Sequence, residues 1–186
     1  MKTLYLMRHA KSSWDFPELN DHDRPLNKRG RQDGPLMGQQ LLSRDTSPDL
    51  ILSSTAVRAI TTATLVAKEL DYDREKIQAQ ESIYKAGRNE LIKIIQHVPD
   101  EINSLLIIGH NPILSEVANK LSPEALPDMP TAGVVALEFN CNSWLDISGD
   151  KSKLLFNDFP KNYKQKNKEK DKDKKKDKEE KEQAGE

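Results

Sequence analysis

Two histidines and two arginines are the side chains of this sequence best suited to chemistry. Each stands at or shortly after the end of an apolar run: Arg8, His9, Arg58 and His110. Arginine forks suit the oxygens of a phosphate, and a neutral imidazole is a good nucleophile toward phosphorus. Phosphoryl transfer spreads negative charge over three oxygens, which positioned cations stabilise. These residue types therefore predict phosphoryl transfer through a phosphohistidine.

The elements that must position these side chains alternate along the first two-thirds of the sequence. Short apolar runs predict strands, and apolar residues at helical spacing predict the helices between them. Such alternation is typical of a mostly parallel sheet with helices on both faces, and the last three strands add an antiparallel portion. Strands are predicted over residues 3–7, 50–53, 76–80, 105–108, 134–139, 144–147 and 153–156, and helices over 27–43, 56–70, 89–98 and 112–121.

The four side chains are expected to meet at one edge of this sheet. The carboxyl ends of parallel strands lie on the same edge, and ligands bind there. His9 and His110 follow their strands directly, whereas Arg58 falls in the first turn of the helix after residues 50–53. Helix N-termini beside the cleft favour an anion. The pattern contains no obvious carboxylate cluster for a metal ion, and the arginines would repel a cation.

Four ordered stretches of the sequence resemble the histidine phosphatase (phosphoglycerate-mutase-like) superfamily. The Arg-His pair at positions 8 and 9 looks like its Arg-His-Gly signature, with Ala10 in place of the commoner glycine. The likeness extends over about residues 1–160 and is greatest to the small SixA-type phosphohistidine phosphatases. The stretches that carry it are RHAKSSW, DHDRPLNKRG, LILSSTAVRAITTA and LIIGHNP.

The resemblance implies an αβα sandwich, a role for each of the four residues, and no need for a metal or organic cofactor. His9 would be the nucleophile that accepts the phosphoryl group. Arg8, Arg58 and His110 would bind the phosphate and stabilise the transition state. Larger family members use an acidic residue after the third strand to protonate a leaving alkoxide, and Glu81 is the positional candidate. A solvated loop glutamate is the alternative reading of Glu81.

Phosphohistidine on a protein is the substrate that the sequence favours. Its leaving group is an imidazole that can itself take up a proton, so the weak signal for a general acid at Glu81 matters less. No sizeable lid is evident between the third strand and its helix, and an open cleft suits a phosphorylated side chain of a protein. Two alternatives remain: a phosphomonoesterase for small metabolites or phosphoserine/threonine proteins, and a non-catalytic phosphate-binding or scaffolding module.

Composition excludes several other classes of protein. The 186 residues include 29 Lys+Arg and 30 Asp+Glu, and residues 1–160 alone are mildly acidic, which disfavours nucleic-acid binding by the folded surface. The lone cysteine excludes a disulfide framework, and no apolar run is long enough to span a membrane. The cytoplasm is the expected location, since the N-terminus lacks the features of a signal or transit peptide.

The composition changes abruptly at position 161. Residues 161–186 hold 11 Lys and 8 Asp+Glu but almost no apolar side chain, so they cannot bury enough surface to offset their ordering entropy. We therefore predict a histidine phosphatase domain over residues 1–160 and a disordered charged tail over 161–186. The tail has no partner that the sequence identifies.

Overall fold

A six-stranded sheet lies at the centre of the structure, a computed structural model that describes residues 1–164. The strands are β1 (Lys2–Arg8), β2 (Leu50–Ser54), β3 (Gln78–Gln80), β4 (Ser104–Gly109), β5 (Val134–Phe139) and β6 (Ser152–Asp158). Their order across the sheet is β3-β2-β4-β1-β5-β6. The first four strands pair in parallel, and β5 and β6 pair antiparallel. The predicted parallel sheet with an antiparallel extension is confirmed.

Helices cover both faces of this sheet. They are α1 (Lys28–Leu42), α2 (Val57–Glu69), α3 (Glu81–Lys85), α4 (Arg88–Gln96) and α5 (Ile113–Leu121). Alternate residues of β1 point to opposite faces, so Leu4 and Leu6 pack in the cluster under α4 and α5, whereas Tyr5 and Met7 pack in the cluster under α1 and α2. The result is the predicted three-layer αβα sandwich.

The start of α1 is fixed by its cap and by a close backbone approach. The Asn27 side chain accepts a hydrogen bond from the Gly30 N–H at 2.9 Å, as an N-cap should. A Cβ on Gly30 would stand 2.2 Å from the Lys11 carbonyl oxygen. Only glycine therefore lets α1 pack against the loop that follows β1.

One predicted strand is wrong. Residues 144–147 do not pair in the sheet; Trp144–Asp146 form a 3-10 helix after β5. Trp144 is fully buried and its indole N–H donates to the Ile102 carbonyl oxygen at 2.7 Å. The apolar positions at 144 and 147 arise because both side chains cover one edge of the core, and a four-residue pattern does not distinguish this from a strand. The short helix α3 was not predicted.

The last described residues pack on the domain. Residues 161–164 continue as a helical turn in which the Tyr163 hydroxyl donates to Asp158, beside Arg44. The Lys164 ammonium lies 2.5 Å from an oxygen of the buried Asp33 in α1. Tyr163 and Lys164, which belong to the predicted tail, thus contact the body of the protein. The rest of that prediction, for residues 165–186, lies outside the described residues.

Candidate active site

His9 stands at the carboxyl end of β1, next to the end of β4. Its backbone N–H donates to the Gly109 carbonyl oxygen at 3.0 Å, which continues the pairing of the two strands beyond Arg8. The residue is only 9% exposed. Its Nδ1 lies 2.7 Å from the Ala10 carbonyl oxygen, which can only accept, so the proton of the neutral ring is on Nδ1. The lone pair is therefore on Nε2, the atom available as nucleophile.

Arg58 links the two histidines. It lies in the first turn of α2 and is buried. Its Nε donates toward Nε2 of His9 at 3.4 Å, and its Nη2 toward Nδ1 of His110 at 3.4 Å. The guanidinium thus presents two N–H groups to the gap between the imidazoles, a spacing that matches two oxygens of a phosphate.

His110 is oriented by β2, the neighbour of β4 on its other side. Its Nε2 lies 2.7 Å from the Ser54 hydroxyl at the end of that strand. Because an arginine only donates, Nδ1 of His110 accepts and Nε2 carries the proton. The two imidazole rings have centroids 5.1 Å apart and are inclined at 55°.

Arg8, the last residue of β1, supplies the second guanidinium. Its Nη1 donates to the Met129 carbonyl oxygen at 2.9 Å. Its Nε is buried and finds no hydrogen-bond acceptor among residues 1–164. Burial lowers the pKa of Arg8, against the opposing charge of Asp128. Arg8 therefore holds a buried N–H donor that is free for an anion.

Both histidines are held in the neutral form. Burial is the largest cause and lowers the pKa of His9 to about 3, assisted by His110, Arg58 and Arg8 and opposed by the Ala10 hydrogen bond. Burial and then the Arg58 charge lower the pKa of His110 to about 4. Desolvation and nearby cations both disfavour a protonated imidazole. At neutral pH the cluster thus consists of two guanidinium cations and two uncharged imidazole rings, an arrangement whose charge suits an anion.

Asp21 supports Arg58 through its carboxylate and its backbone oxygen. Its carboxylate lies 2.8 Å from Nη2 of Arg58, and its backbone oxygen accepts from Nη1. The Tyr84 hydroxyl donates to the same carboxylate at 3.2 Å. Burial acts to raise the pKa of Asp21, but hydrogen bonds from Arg58, Tyr84 and Arg24 outweigh it and the pKa lies below its ordinary value. Asp21 is therefore charged and orients the guanidinium.

Sequence reasoning did not assign Asp21, Tyr84 or Ser54 to the site. Asp21 is 37 positions from Arg58 and follows no apolar strand, so the pattern around it carried no signal of an ion pair. Arg24, three positions after Asp21, is buried. Its guanidinium bonds to the Ser12 hydroxyl, the Ser13 carbonyl oxygen and the Asp21 carboxylate.

Glu81 is bonded to Thr55 and Lys85 rather than to the two histidines or Arg8 and Arg58. Its carboxylate accepts from the Thr55 hydroxyl at 2.5 Å and pairs with Lys85 at 3.0 Å, and the Thr55 and Lys85 hydrogen bonds lower its pKa. A carboxylate in this state is ionised at neutral pH and holds no proton to donate. No group of three or more His, Cys, Asp or Glu side chains in the described part of the chain is placed to hold a metal ion.

This fold, with its histidines and arginines at the strand ends, is that of a phosphatase. The chain belongs to the histidine phosphatase superfamily (branch 1), whose family model matches residues 4–83. A chloroplastic, uncharacterised protein of Arabidopsis thaliana is 34% identical over 152 residues, which are 77% of this chain and 69% of that protein.

Solved structures agree with this assignment. A candidate phosphohistidine phosphatase SixA from Agrobacterium tumefaciens has a TM-score of 0.72 at 28% identity and covers 86% of this chain and 99% of its own. The protein histidine phosphatase SixA, solved with tungstate, has a TM-score of 0.73 at 20% identity and covers 86% of this chain and 98% of its own. The expected phosphoglycerate-mutase-like, SixA-like fold is confirmed.

Proposed function

We propose that this protein hydrolyses phosphohistidine on a protein, through a covalent phosphohistidine formed on His9. The observation that carries the proposal is the state of His9. Its ring is buried and neutral, its Nδ1–H is bonded to Ala10, and its Nε2 faces the guanidinium of Arg58. A nucleophile held beside cationic donors in this way needs no further activation to attack phosphorus.

In the first step Nε2 of His9 attacks the phosphorus of the substrate. The bond from phosphorus to His9 forms while the bond to the substrate nitrogen breaks, and the leaving imidazole takes up a proton from solvent. Nε and Nη2 of Arg58 bind two of the phosphate oxygens, and the free Nε–H of Arg8 binds another. Positioned donors of this kind supply most of the stabilisation in phosphoryl transfer.

In the second step water attacks the phosphorus of phospho-His9. The bond to Nε2 breaks and restores the nucleophile. Inorganic phosphate leaves with the oxygen and one proton of that water, and the other proton passes to solvent. When the phosphoryl group occupies the site, the Ser54 hydroxyl donates to Nε2 of His110, the ring proton lies on Nδ1, and this Nδ1–H donates to an oxygen of the transferred group. No residue of this chain needs to hold a metal or an organic cofactor for either step.

The environment of Glu81 supports phosphohistidine over a phosphate ester. An alkoxide leaving group requires a proton in the transition state, a contribution of about 10²–10⁴-fold. Glu81 is ionised and already bonded to Thr55 and Lys85. An imidazole leaving group can take up a proton itself and depends less on such an acid. The lack of a protonated carboxyl at Glu81 therefore lowers the rate of phosphohistidine hydrolysis only slightly.

The connection between β3 and α4 is short. Only residues 81–87, with the five-residue α3, lie between β3 and α4. A small metabolite needs closure to exclude water from the reaction, whereas a side chain presented by a protein excludes water by docking. The lack of a long lid in this connection therefore favours a protein substrate.

The experiment compares phosphate release from a histidine-phosphorylated protein, a phosphoserine peptide and an activated aryl phosphate, with a chelator present. We expect turnover of the first substrate to be fastest and to disappear in His9→Ala. His97→Ala, which removes an exposed histidine at the end of α4, is the matched control. Faster hydrolysis of the phosphoserine peptide would support the phosphomonoesterase instead. If the folded protein hydrolysed none of the three substrates, the result would support the non-catalytic phosphate-binding or scaffolding module.

Glu81→Gln separates the two enzyme functions directly. A phosphohistidine hydrolase should retain its rate within about 3-fold, whereas an ester hydrolase that uses this carboxyl as its acid should lose 10²-fold or more. Thr55→Val removes the neighbouring hydroxyl but keeps the carboxylate, and it controls for the lost hydrogen bond. A large loss in Glu81→Gln alone would contradict the proposal.

The cytoplasm is the location that we propose for this activity. No helix within residues 1–164 is long and apolar enough to cross a membrane. The Arabidopsis relative is chloroplastic, which makes the plastid the alternative location. Fractionation of cells expressing the full chain, followed by immunoblotting, tests the assignment.

A further inference from the structure

Exposed apolar side chains cluster in the loop between β1 and the Asp21–Asp23 turn. Trp14, Phe16 and Leu19 are 74%, 45% and 38% exposed, and they fall within six consecutive positions. We name residues 13–20 the Trp14 loop. A contiguous group of large apolar side chains in water marks an interaction surface, and tryptophan is typical of the residues that dominate binding.

The Trp14 loop is held by the body of the protein rather than by its own contacts alone. The Ser13 N–H donates to the Pro25 carbonyl oxygen at 2.8 Å, and Ser12 forms a β-bridge with Leu26. The guanidinium of Arg24 lies 3.2 Å from the centroid of the Trp14 ring. The Trp14 side chain is thus kept in place while most of its surface stays in water.

A short chain of contacts joins this loop to the phosphate site. Arg24 stacks on Trp14 and pairs with one oxygen of Asp21 at 3.0 Å. The other oxygen of Asp21 lies 2.8 Å from Arg58. Only two side chains therefore separate Trp14 from the guanidinium that faces His9, so the Trp14 loop adjoins the residues that position Arg58.

The charge of the surface indicates what binds it. Positions 12–23 hold no lysine or arginine, and they carry acidic side chains at Asp15, Glu18, Asp21 and Asp23. Asp21 is neutralised by its two arginines, but Asp15, Glu18 and Asp23 are exposed. A partner that lies here must offer apolar side chains to Trp14 and basic side chains to the acidic ones.

We infer that the Trp14 loop is the docking surface for the protein substrate, and that it selects phosphohistidine flanked by apolar and basic residues. This inference rests on the proposed function and extends it to the sequence around the phosphorylated histidine. Trp14 contributes affinity for the polypeptide, while Arg8, Arg58, His9 and His110 act on the phosphoryl group alone.

The test uses the full chain and three probes: a phosphohistidine peptide flanked by leucine and lysine, the same peptide with glutamate for lysine, and free phosphohistidine. We expect the lysine-flanked peptide to be the best substrate. Trp14→Ala should raise its KM about 10-fold and leave kcat on free phosphohistidine within about 2-fold. Leu145→Ala is the matched control. Leu145 is 65% exposed and follows the carboxyl end of β5, which pairs with the amino end of β1 and so lies at the other end of the strands from His9.

A second variant tests the charge and does not touch Arg24. The double substitution Asp15→Lys, Glu18→Lys should reverse the preference between the two peptides. If Trp14→Ala lowered kcat/KM equally on the peptide and on free phosphohistidine, the docking proposal would be wrong. Trp14 would then act through Arg24 on the phosphate site itself. Unchanged peptide KM would also overturn it and leave the proposed function standing. If the wild type hydrolysed none of the three probes but did hydrolyse a phosphate ester, both the docking proposal and the proposed function would be wrong.

Discussion

The buried neutral state of His9 predicts a specific dependence of stability on pH. The folded pKa of His9 is about 3, whereas an unfolded histidine has a pKa of about 6.5. Between these values the unfolded chain takes up a proton that the folded chain refuses. Stability contributed by keeping this ring neutral is therefore fully present above pH 6.5 and is lost as the pH falls toward 3.

The magnitude follows from the two pKa values. Each pH unit below 6.5 costs about 1.4 kcal/mol per such group, so at pH 4.5 the His9 contribution alone is about 2–3 kcal/mol. His9→Asn removes the titrating ring but keeps an amide that can bond to the Ala10 carbonyl oxygen. The free energy of unfolding of the variant should therefore fall less between pH 7.5 and 4.5 than that of the wild type, by about 2–3 kcal/mol.

Urea unfolding at the two pH values, followed by circular dichroism, measures this difference. His97→Asn is the control, since it removes an exposed imidazole outside the cluster and should lose as much stability as the wild type. Equal losses in wild type and His9→Asn would refute the reasoning. Such a result would mean that folded His9 accepts a proton at pH 4.5, and the argument for a permanently neutral nucleophile would fail with it.

Two further predictions concern residues that position the site. Asp21→Asn should lower kcat about 5-fold, because Arg58 loses a charge-assisted hydrogen bond that positions it. KM should not rise, because the substitution also removes a negative charge near the bound anion. An unchanged kcat in steady-state assays would show that Asp21 does not position Arg58. Gly30→Ala should destabilise the fold by about 2–3 kcal/mol in urea unfolding, because its Cβ would meet the Lys11 carbonyl oxygen. Gly34→Ala, whose Cβ would meet only the flexible Leu65 side chain at 3.2 Å, should cost clearly less, and equal effects would show that the backbone contact at Gly30 is not limiting.

The elements that were predicted correctly are those whose signals lie within a few residues of one another. The helices and most strands were predictable because apolar spacing and caps such as Asn27 act within a few residues. Trp144 broke the pattern because its burial comes from a contact with Ile102, 42 residues away, and not from pairing in the sheet. A segment of four residues does not carry that information.

The candidate site divides in the same way. Arg8, His9, Arg58 and His110 could be found from the sequence, since each stands at the end of an apolar run and parallel strands bring such ends to one edge. Which nitrogen of His9 carries the proton, the bond from His110 to Ser54, and the support of Arg58 by Asp21 could not. These depend on side chains that are distant in sequence and adjacent only after folding.

The sequence by itself determined the alternation of strands and helices, the residues able to handle a phosphoryl group, and their places at the strand ends. The tertiary structure alone decided that β4 lies between β1 and β2, which sets His110 between His9 and Ser54. It also decided the burial that lowers the pKa of both histidines. The physical reason is that periodicity and capping act along the chain, whereas strand order, desolvation and ion pairs arise from contacts across it.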